Sequence, residues 1–371
     1  MNFEMIRKEF RKLKIPKSIW NPCGIPFEKC GHAIILSNRA RGKTTNSLLF
    51  GLIGYKLFGC TMAYVRPLES DIQPKNLRNI FSFIENNLYI EKIFPDYNGV
   101  SYFGGKYTLC LRDESGKIVE KDSKPFMHLF SVQAHESYKS VFTDDKCDFI
   151  IYDEFIKGSY RQDEFVDFMD LLSTIGRLRE TPRVLWLANT IDYFSPYYRE
   201  LFIQKEIETM IEGDSKIVSV PEGAKVYIKL IGQMNDEKVI ERNRFFFGFP
   251  NKKLQSIIGG GWAMPVYPHC KRMEKSILAR NIYVNYNGNL VNLKLCYNDE
   301  LGFFVDCSPA NRTYNDSYIY TNGEICAANE HYLLGDGNKI DKRIWGLYEN
   351  NRFFYSDNTT GAIIESFYKS A

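Results

Sequence analysis

The sequence has little excess charge of either sign. It contains 48 lysines and arginines against 45 aspartates and glutamates, so its net charge at pH 7 is only +3. Proteins that coat nucleic acid through bulk charge are much more basic than this. Any contact with nucleic acid must therefore come from a local basic surface, or from several copies of the chain joined together.

The cysteines show neither the spacing of a metal site nor that of a disulfide framework. There are nine of them, an odd number, and they are scattered along the chain. Cys23 and Cys30 are too far apart for a zinc knuckle, and no second pair with metal spacing follows. We therefore expect reduced structural thiols.

Long hydrophobic runs are also missing. No stretch reaches the roughly 18 apolar residues that a membrane-spanning helix needs. The first residues, MNFEMIRKEFRKLK, are charged and lack the apolar centre of a signal peptide. The sequence thus predicts no membrane partner and an aqueous location inside a cell. It also shows no internal repeat.

What the sequence does contain indicates two domains. A chain of 371 residues is long for a single hydrophobic core. In the first half, buried strands alternate with helices, which is typical of a mostly parallel sheet. This pattern weakens after about residue 205, and a β-rich segment follows. We predict an α/β domain over 1–205, a lid or linker over 206–265, and a small α+β domain over 266–371.

Two segments of the predicted α/β domain have patterns of their own. PKNLRNIFSFIENNLYI (74–90) predicts one helix. Residues 98–131 have short apolar runs separated by Gly-Gly, Ser-Gly and Lys-Pro. This second pattern predicts a small antiparallel meander.

The segment SNRARGKTT (37–45) has the features of a phosphate-binding loop. It lies between a predicted buried strand, HAIILS, and a predicted helix. Such a loop needs backbone N–H groups at a helix N-terminus, a lysine for the phosphates and a hydroxyl for Mg²⁺. Gly42, Lys43 and Thr44 meet these needs, whereas Ser37 stands where the usual pattern has glycine. Because Gly-Lys-Thr also occurs by chance, the loop needs support from elsewhere in the chain.

That support comes from CDFIIYDEF (147–155), which predicts a buried strand ending in two acids. Asp153 would hold Mg²⁺ together with Thr44, and Glu154 would polarise the attacking water as a general base. Two acids at a strand end can instead cap the following helix. The joint occurrence of both segments favours an ATP site. An acid directly after the magnesium-binding aspartate also indicates the additional-strand class of P-loop NTPases, in which another strand separates these two.

Further polar residues lie at the end of a predicted strand and near the end of a predicted helix. RVLWLANT (183–190) predicts a strand that ends in Asn189, where an amide would sense the γ-phosphate unless it is a simple turn residue. Arg177 and Arg179 lie near the end of the predicted helix 163–180. An arginine there suits contact with a neighbouring subunit's ATP. It can also cap the helix dipole or face solvent.

In this order, the motifs resemble those of the DNA-packaging (encapsidation) ATPases of small, short-tailed, protein-primed phages. The resemblance is carried by ARGKTT, YVRP, SVQAHESYKS, FIIYDEF, MDLLSTIGRLRE, LWLANT and SPYY. The residues that it assigns to ATP binding are Arg39, Gly42, Lys43, Thr44 and Thr45, with Thr44 and Asp153 as metal ligands. The residues that it assigns to catalysis are Glu154, Arg177 (as a trans-acting finger, in preference to Arg179) and Asn189.

The resemblance also implies a function and partners. It implies a homomeric ring, of five subunits, that docks on the portal of a viral procapsid in the host cytoplasm. The ring would move double-stranded DNA into the head by hydrolysing ATP, and a structural RNA is a further candidate partner. The alternatives are a terminase large subunit with an active nuclease, a conjugation or secretion ring ATPase, and a non-enzymatic scaffold with a degenerate loop.

For the C-terminal domain, the resemblance implies an RNase H-like fold that lacks nuclease acids. The segment YNGNLVNLKLCYNDELGFFVDC carries this part of the resemblance. A nuclease of that type needs clustered carboxylates for two metal ions. The sequence offers Asn285 where an acid would be useful, and Asp306, Asp336 and Asp341 further on. We therefore expect no nuclease activity.

Overall fold

The strands in the described part of the chain form two sheets. A computed structural model describes residues 1–16, 18–37, 41–77, 79–139, 142, 146–156, 160–161, 163–177, 179–188, 195–232, 267–268, 276–314, 317–323, 325, 327–333 and 339–370. Within these residues, one sheet has ten strands and the other has six.

The first sheet is mostly parallel. Its strands, in spatial order, are β3 (Gly99–Phe103), β4 (Lys106–Arg112), β6 (Met127–Ser131), β2 (Thr61–Arg66), β7 (Cys147–Asp153), β8 (Arg183–Ala188), β1 (His32–Leu36), β10 (Lys225–Leu230) and β9 (Ser215–Ser219), with β5 (Ile118–Lys121) paired to β4. The six strands from β6 to β10 in this order run parallel. β8 lies between β1 and β7, so the strand order is that of the additional-strand class, as the sequence predicts.

Helices cover both faces of this sheet, which explains why β7 is buried along its whole length and β2 along all but its last residue. One face packs against α1 (Phe3–Lys12), α2 (Lys43–Phe58), α3 (Pro74–Leu77), α4 (Ser82–Asn86) and α5 (Tyr89–Ile93). The other packs against α6 (His135–Tyr138), α7 (Glu164–Gly176), α8 (Pro196–Glu200) and α9 (Gln204–Thr209). Among the described residues, no helix has both the length and the hydrophobicity that crossing a membrane requires.

The antiparallel meander predicted over 98–131 is confirmed, because β4 pairs antiparallel with β3, β5 and β6, and β6 joins it to the first sheet through β2. Two expectations need correction. The single helix predicted over 74–90 is three short helices, and Leu88, with φ +55°, breaks the last of them from the one before. β9 and β10 lie in the range 206–265, for which the sequence predicts a lid or linker, but they belong to this sheet through the pairing of β10 with β1. The sheet therefore extends past the predicted boundary at 205.

The second sheet has the strand order of an RNase H-like domain. In space its strands are β15 (Glu330–His331), β14 (Tyr318–Thr321), β11 (Ile277–Tyr286), β12 (Asn289–Asn298), β13 (Gly302–Pro309) and β16 (Phe353–Tyr355). The strands β11 to β13 form the predicted antiparallel meander, and β14 and β15 continue in parallel beside β11. The helices α10 (Lys339–Glu349) and α11 (Asn358–Ser370) contribute to the core of this domain.

Candidate functional site

The predicted phosphate loop joins the buried strand β1 to the start of α2. The described loop begins with Ser37, which is fully buried, and resumes at residue 41. Gly42 caps α2 with φ +74°, a left-handed conformation that suits glycine. A Cβ atom at this position would also collide with Ile19. The loop thus requires glycine at 42, both for backbone conformation and for space.

Lys43, the first residue of α2, is only 5% exposed. Its Nζ donates to Ser37 Oγ at 2.5 Å and lies 3.4 Å from the carbonyl oxygen of Ser37. Burial lowers the pKa of Lys43 to about 8, although the carboxylate of Asp153 opposes this. Ser37 therefore supplies a hydroxyl partner for the ammonium, which the usual glycine cannot do.

Thr44 and Asp153 meet although they are 109 residues apart. Thr44 Oγ1 donates to Asp153 Oδ2 at 2.7 Å, and the hydroxyl of Tyr64 donates to the same oxygen at 2.8 Å. Asp153 is 4% exposed. A hydroxyl and a carboxylate are oxygen ligands of the kind that Mg²⁺ prefers. This donor set fits the predicted magnesium ion.

Glu154 is bound by an arginine for which the sequence analysis predicted no role. Its carboxylate accepts a hydrogen bond from Arg66, whose guanidinium also lies 3.9 Å from Asp153 Oδ2. Burial disfavours the charge of Arg66, but Tyr64, Asp153 and Glu154 together hold its pKa above the usual range. Glu154 itself has φ +53°, which is unusual for a residue other than glycine. In this structure the carboxylate of Glu154 is therefore turned towards Arg66.

Tyr64 and Arg66 are the site residues that sequence reasoning missed. They lie two positions apart on β2, so their side chains are on the same face of the sheet. β2 pairs directly with β7, which carries the two acids. The only signal in the sequence was an arginine at a strand end, and its distance from Asp153 depends on the order of the strands.

Arg177 and Arg179 both lie where α7 ends. Arg179 forms an ion pair with Asp148 at 2.5 Å and donates to the carbonyl oxygens of Gly176 and Cys147. It thus binds the helix end and the start of β7. Arg177 has φ +45° and donates to the carbonyl oxygen of Phe142. The contacts of Arg179 with Cys147 and Asp148 place this end of α7 beside the start of β7. Asp153 is at the other end of that strand, whose seven residues span roughly 20 Å. Arg177 therefore lies at the opposite end of the strands from Asp153 of its own chain.

The other predicted site residues divide into two groups. Thr45 follows Thr44 in the first turn of α2 and is half-buried. Arg39 and Asn189 lie outside the described residues. Their assigned roles therefore stay predictions.

The pKa of Lys43 predicts how ATP binding depends on pH. As the pH rises above about 8, Lys43 of the free protein loses its proton. Since the phosphates need the ammonium form, affinity for ATP should fall by up to about tenfold per pH unit. Between pH 8 and the ordinary value of 10.5, the unfolded chain binds more protons at this position than the folded one. The free protein should therefore gain stability from this group as the pH rises.

Nucleotide titrations between pH 7 and 10 would check this prediction. Lys43→Arg is the control, because an arginine keeps its charge over this whole range. Its affinity, whatever its level, should change little with pH. A wild-type affinity that stays constant up to pH 10 would contradict a lowered pKa for Lys43.

The acids considered for a nuclease site lie in different surroundings, as far as the structure describes them. Asn285 on β11 pairs with Thr321 on β14, and Asp306 lies 3.7 Å from Lys294 Nζ. Asp336 and the side chain of Asp341 lie outside the described residues. Among the described residues, no three potential metal ligands of this domain come together.

Comparison with known proteins gives similarity in structure only. No protein-family model matches the chain, and no curated protein matches it in sequence. One similar chain comes from the structure of the bacteriophage Phi-29 viral genome packaging motor assembly. It is 16% identical to this chain, with a TM-score of 0.56, and the match covers 95% of this chain and 99% of that chain. The Phi-28 gp11 DNA packaging motor is also 16% identical, with a TM-score of 0.54, over 95% of this chain and 97% of its own. The chain therefore has the fold of the phage DNA-packaging motor proteins, an additional-strand P-loop domain followed by a smaller RNase H-like domain.

Proposed function

We propose that this protein is an ATP-driven motor that moves double-stranded viral DNA into a preformed procapsid. The contact between Thr44 and Asp153 carries the proposal. It brings the hydroxyl at the start of α2 within 2.7 Å of the acid that ends β7, beside the buried Lys43. This is the arrangement that a phosphate loop and a magnesium-binding acid require. The fold shared with two phage packaging motors supports the choice of DNA as cargo.

Each part of the site has a proposed role in hydrolysis. The N-terminus of α2 and the ammonium of Lys43 bind the phosphates of ATP. Thr44 and Asp153 would hold Mg²⁺, which would neutralise phosphate charge. Glu154 leaves Arg66 and takes a proton from the attacking water. Arg39 would bind phosphate, and Asn189 would sense the nucleotide.

The position of Arg177 supports hydrolysis at subunit interfaces. At roughly 20 Å from Asp153 of its own chain, measured along β7, its side chain cannot reach its own ATP. It can therefore serve as a finger only for a neighbouring subunit, which requires a ring. We propose a ring of five, following the resemblance, that docks on the portal of the procapsid and contacts DNA mainly through phosphates. A structural RNA is a candidate partner of this assembly.

ATP hydrolysis with and without double-stranded DNA tests the proposal. The wild type should hydrolyse ATP faster when DNA is present. Lys43→Ala and Glu154→Gln should each lose activity, on the order of a hundredfold or more. Glu136→Gln, which changes an exposed acid outside the site, is the matched control. If the wild type hydrolyses nothing at any protein concentration, with DNA and portal present, the scaffold alternative replaces the motor.

The same preparations distinguish the motor from a terminase with an active nuclease. Plasmid DNA incubated with the protein and Mg²⁺ or Mn²⁺ should stay intact, because the described part of the second sheet offers no carboxylate cluster. Cutting that depends on the metal, and that survives Lys43→Ala, would favour the terminase alternative.

A further inference from the structure

A large cavity lies beside the first sheet and reaches the amino ends of its parallel strands, whereas the predicted ATP site is at their carboxyl ends. Its volume is about 880 Å³. Thr61 and Lys146, at the amino ends of β2 and β7, line it together with His128 of β6. Along β6 the cavity extends to Phe130, which is level with Val65 of β2. None of the lining residues is one of those predicted to bind ATP or Mg²⁺. This cavity, here called the amino-edge cavity after Thr61 and Lys146, is therefore distinct from the predicted ATP site.

Besides Lys146, three lysines from different segments of the chain line the amino-edge cavity. Lys56 comes from the end of α2, Lys106 from the start of β4, and Lys124 from the segment before β6. All three are exposed, and none forms an ion pair with a described residue. The described lining residues include no carboxylate. The three positive charges repel one another. An anion bound between them would relieve this repulsion and would be attracted by all three.

Aromatic rings form much of the remaining wall. The aromatic residues that line the cavity are Tyr55, Phe94, Phe130, Tyr138 and Phe142. At its rim, Gly104 and Gly105 form the tight turn between β3 and β4, with φ of +56° and +75°. Phe103 precedes this turn and is 83% exposed, which is unusual for so large an apolar side chain. Such rings can stack on a planar heterocycle.

We propose that the amino-edge cavity is a second ligand site, which binds a nucleoside phosphate. The lysines would contact the phosphates, and the base would lie against the aromatic wall. The volume is within the range of small-molecule sites, which is about 300–1,000 Å³. The ligand is either a free nucleotide or an unpaired nucleotide of a single strand, since both present the same groups. A duplex keeps its bases stacked inside and offers only phosphates.

Equilibrium binding to the full-length protein tests this site. A Lys43→Ala background removes the phosphate-loop lysine, so that nucleotide binding at the first site is weakened. The probes are an ATP analogue labelled on the ribose, a labelled single strand of six nucleotides and a labelled duplex. We expect binding of the analogue or of the single strand. Adding Lys56→Ala, Lys106→Ala and Lys124→Ala should weaken that binding at least tenfold. Tyr138→Ala, which removes a half-buried ring of the lining, should weaken it several-fold.

The control carries Lys8→Ala, Lys205→Ala and Lys225→Ala in the same background, and changes the net charge equally at exposed positions elsewhere. Its affinity should match that of the background. Binding of the analogue alone would identify free nucleotide as the ligand, and binding of the single strand alone would identify a nucleic-acid segment. Three results would each overturn the proposal. The first is that neither the analogue nor the single strand binds. The second is an equal loss of affinity in both triple variants. The third is that the cavity variant loses affinity for the duplex only.

Discussion

An equal mixture of Glu154→Gln and Arg177→Ala subunits is expected to hydrolyse ATP, although each variant alone is nearly inactive. Each substitution should lower the rate on the order of 10³-fold, because one removes the general base and the other the trans-acting charge. In a mixed ring, an Arg177→Ala subunit keeps its own Glu154 and receives Arg177 from a Glu154→Gln neighbour. With random assembly, about a quarter of the interfaces combine both intact groups. Activity should return in that proportion.

The measurement is ATPase activity of the mixture against that of each variant alone, with double-stranded DNA present. Arg179→Ala is the control, because Arg179 binds Asp148 of its own chain. It should lose stability yet hydrolyse ATP without help from a second variant. Normal hydrolysis by Arg177→Ala alone would show that the finger is misassigned. An inactive mixture would indicate that Arg177 acts within its own chain, against its position at the far edge of the sheet.

The second large effect is expected from Arg66→Ala. The guanidinium is 15% exposed and lies beside both Asp153 and Glu154. Its removal leaves Glu154 without its ion-pair partner and Asp153 with only Lys43 as a nearby cation, which should cost about 2 kcal/mol of the free energy of unfolding. Mg²⁺ at Thr44 and Asp153 would restore positive charge there. The loss should therefore be large without Mg²⁺ and smaller with it.

Thermal unfolding of the wild type and the variant, with and without Mg²⁺, would measure the loss of stability and how far Mg²⁺ reduces it. Arg112→Ala is the matched control, since Arg112 pairs with Glu85 at 2.9 Å, away from the ATP site. Arg112 is 34% exposed, so its loss should cost about 1 kcal/mol and should not depend on Mg²⁺. An equal loss for Arg66→Ala with and without Mg²⁺ would mean that Arg66 acts through packing instead of charge.

The sequence by itself determined the local parts of the proposed ATP site. A buried strand, a glycine that must adopt positive φ and a helix beginning with Lys43 and Thr44 are neighbours along the chain, so their pattern can be read directly. The same holds for the apolar strand that ends in Asp153 and Glu154. In the second domain, the turn Asn287–Gly288 indicates the hairpin between β11 and β12, because both residues readily adopt positive φ. Arg39 and Asn189 were assigned in the same way and stay predictions.

The tertiary structure alone decided which distant segments meet. Hydrophobic patterns identify parallel strands but not their order in the sheet, because the order depends on contacts across long connections. For this reason the sequence did not show that β10 pairs with β1, nor that β2 brings Arg66 and Tyr64 to the two acids. It also did not show that α7 returns Arg177 to the end of the sheet opposite Asp153. The lysines around the amino-edge cavity are likewise far apart in sequence, and only the folded sheet brings them together.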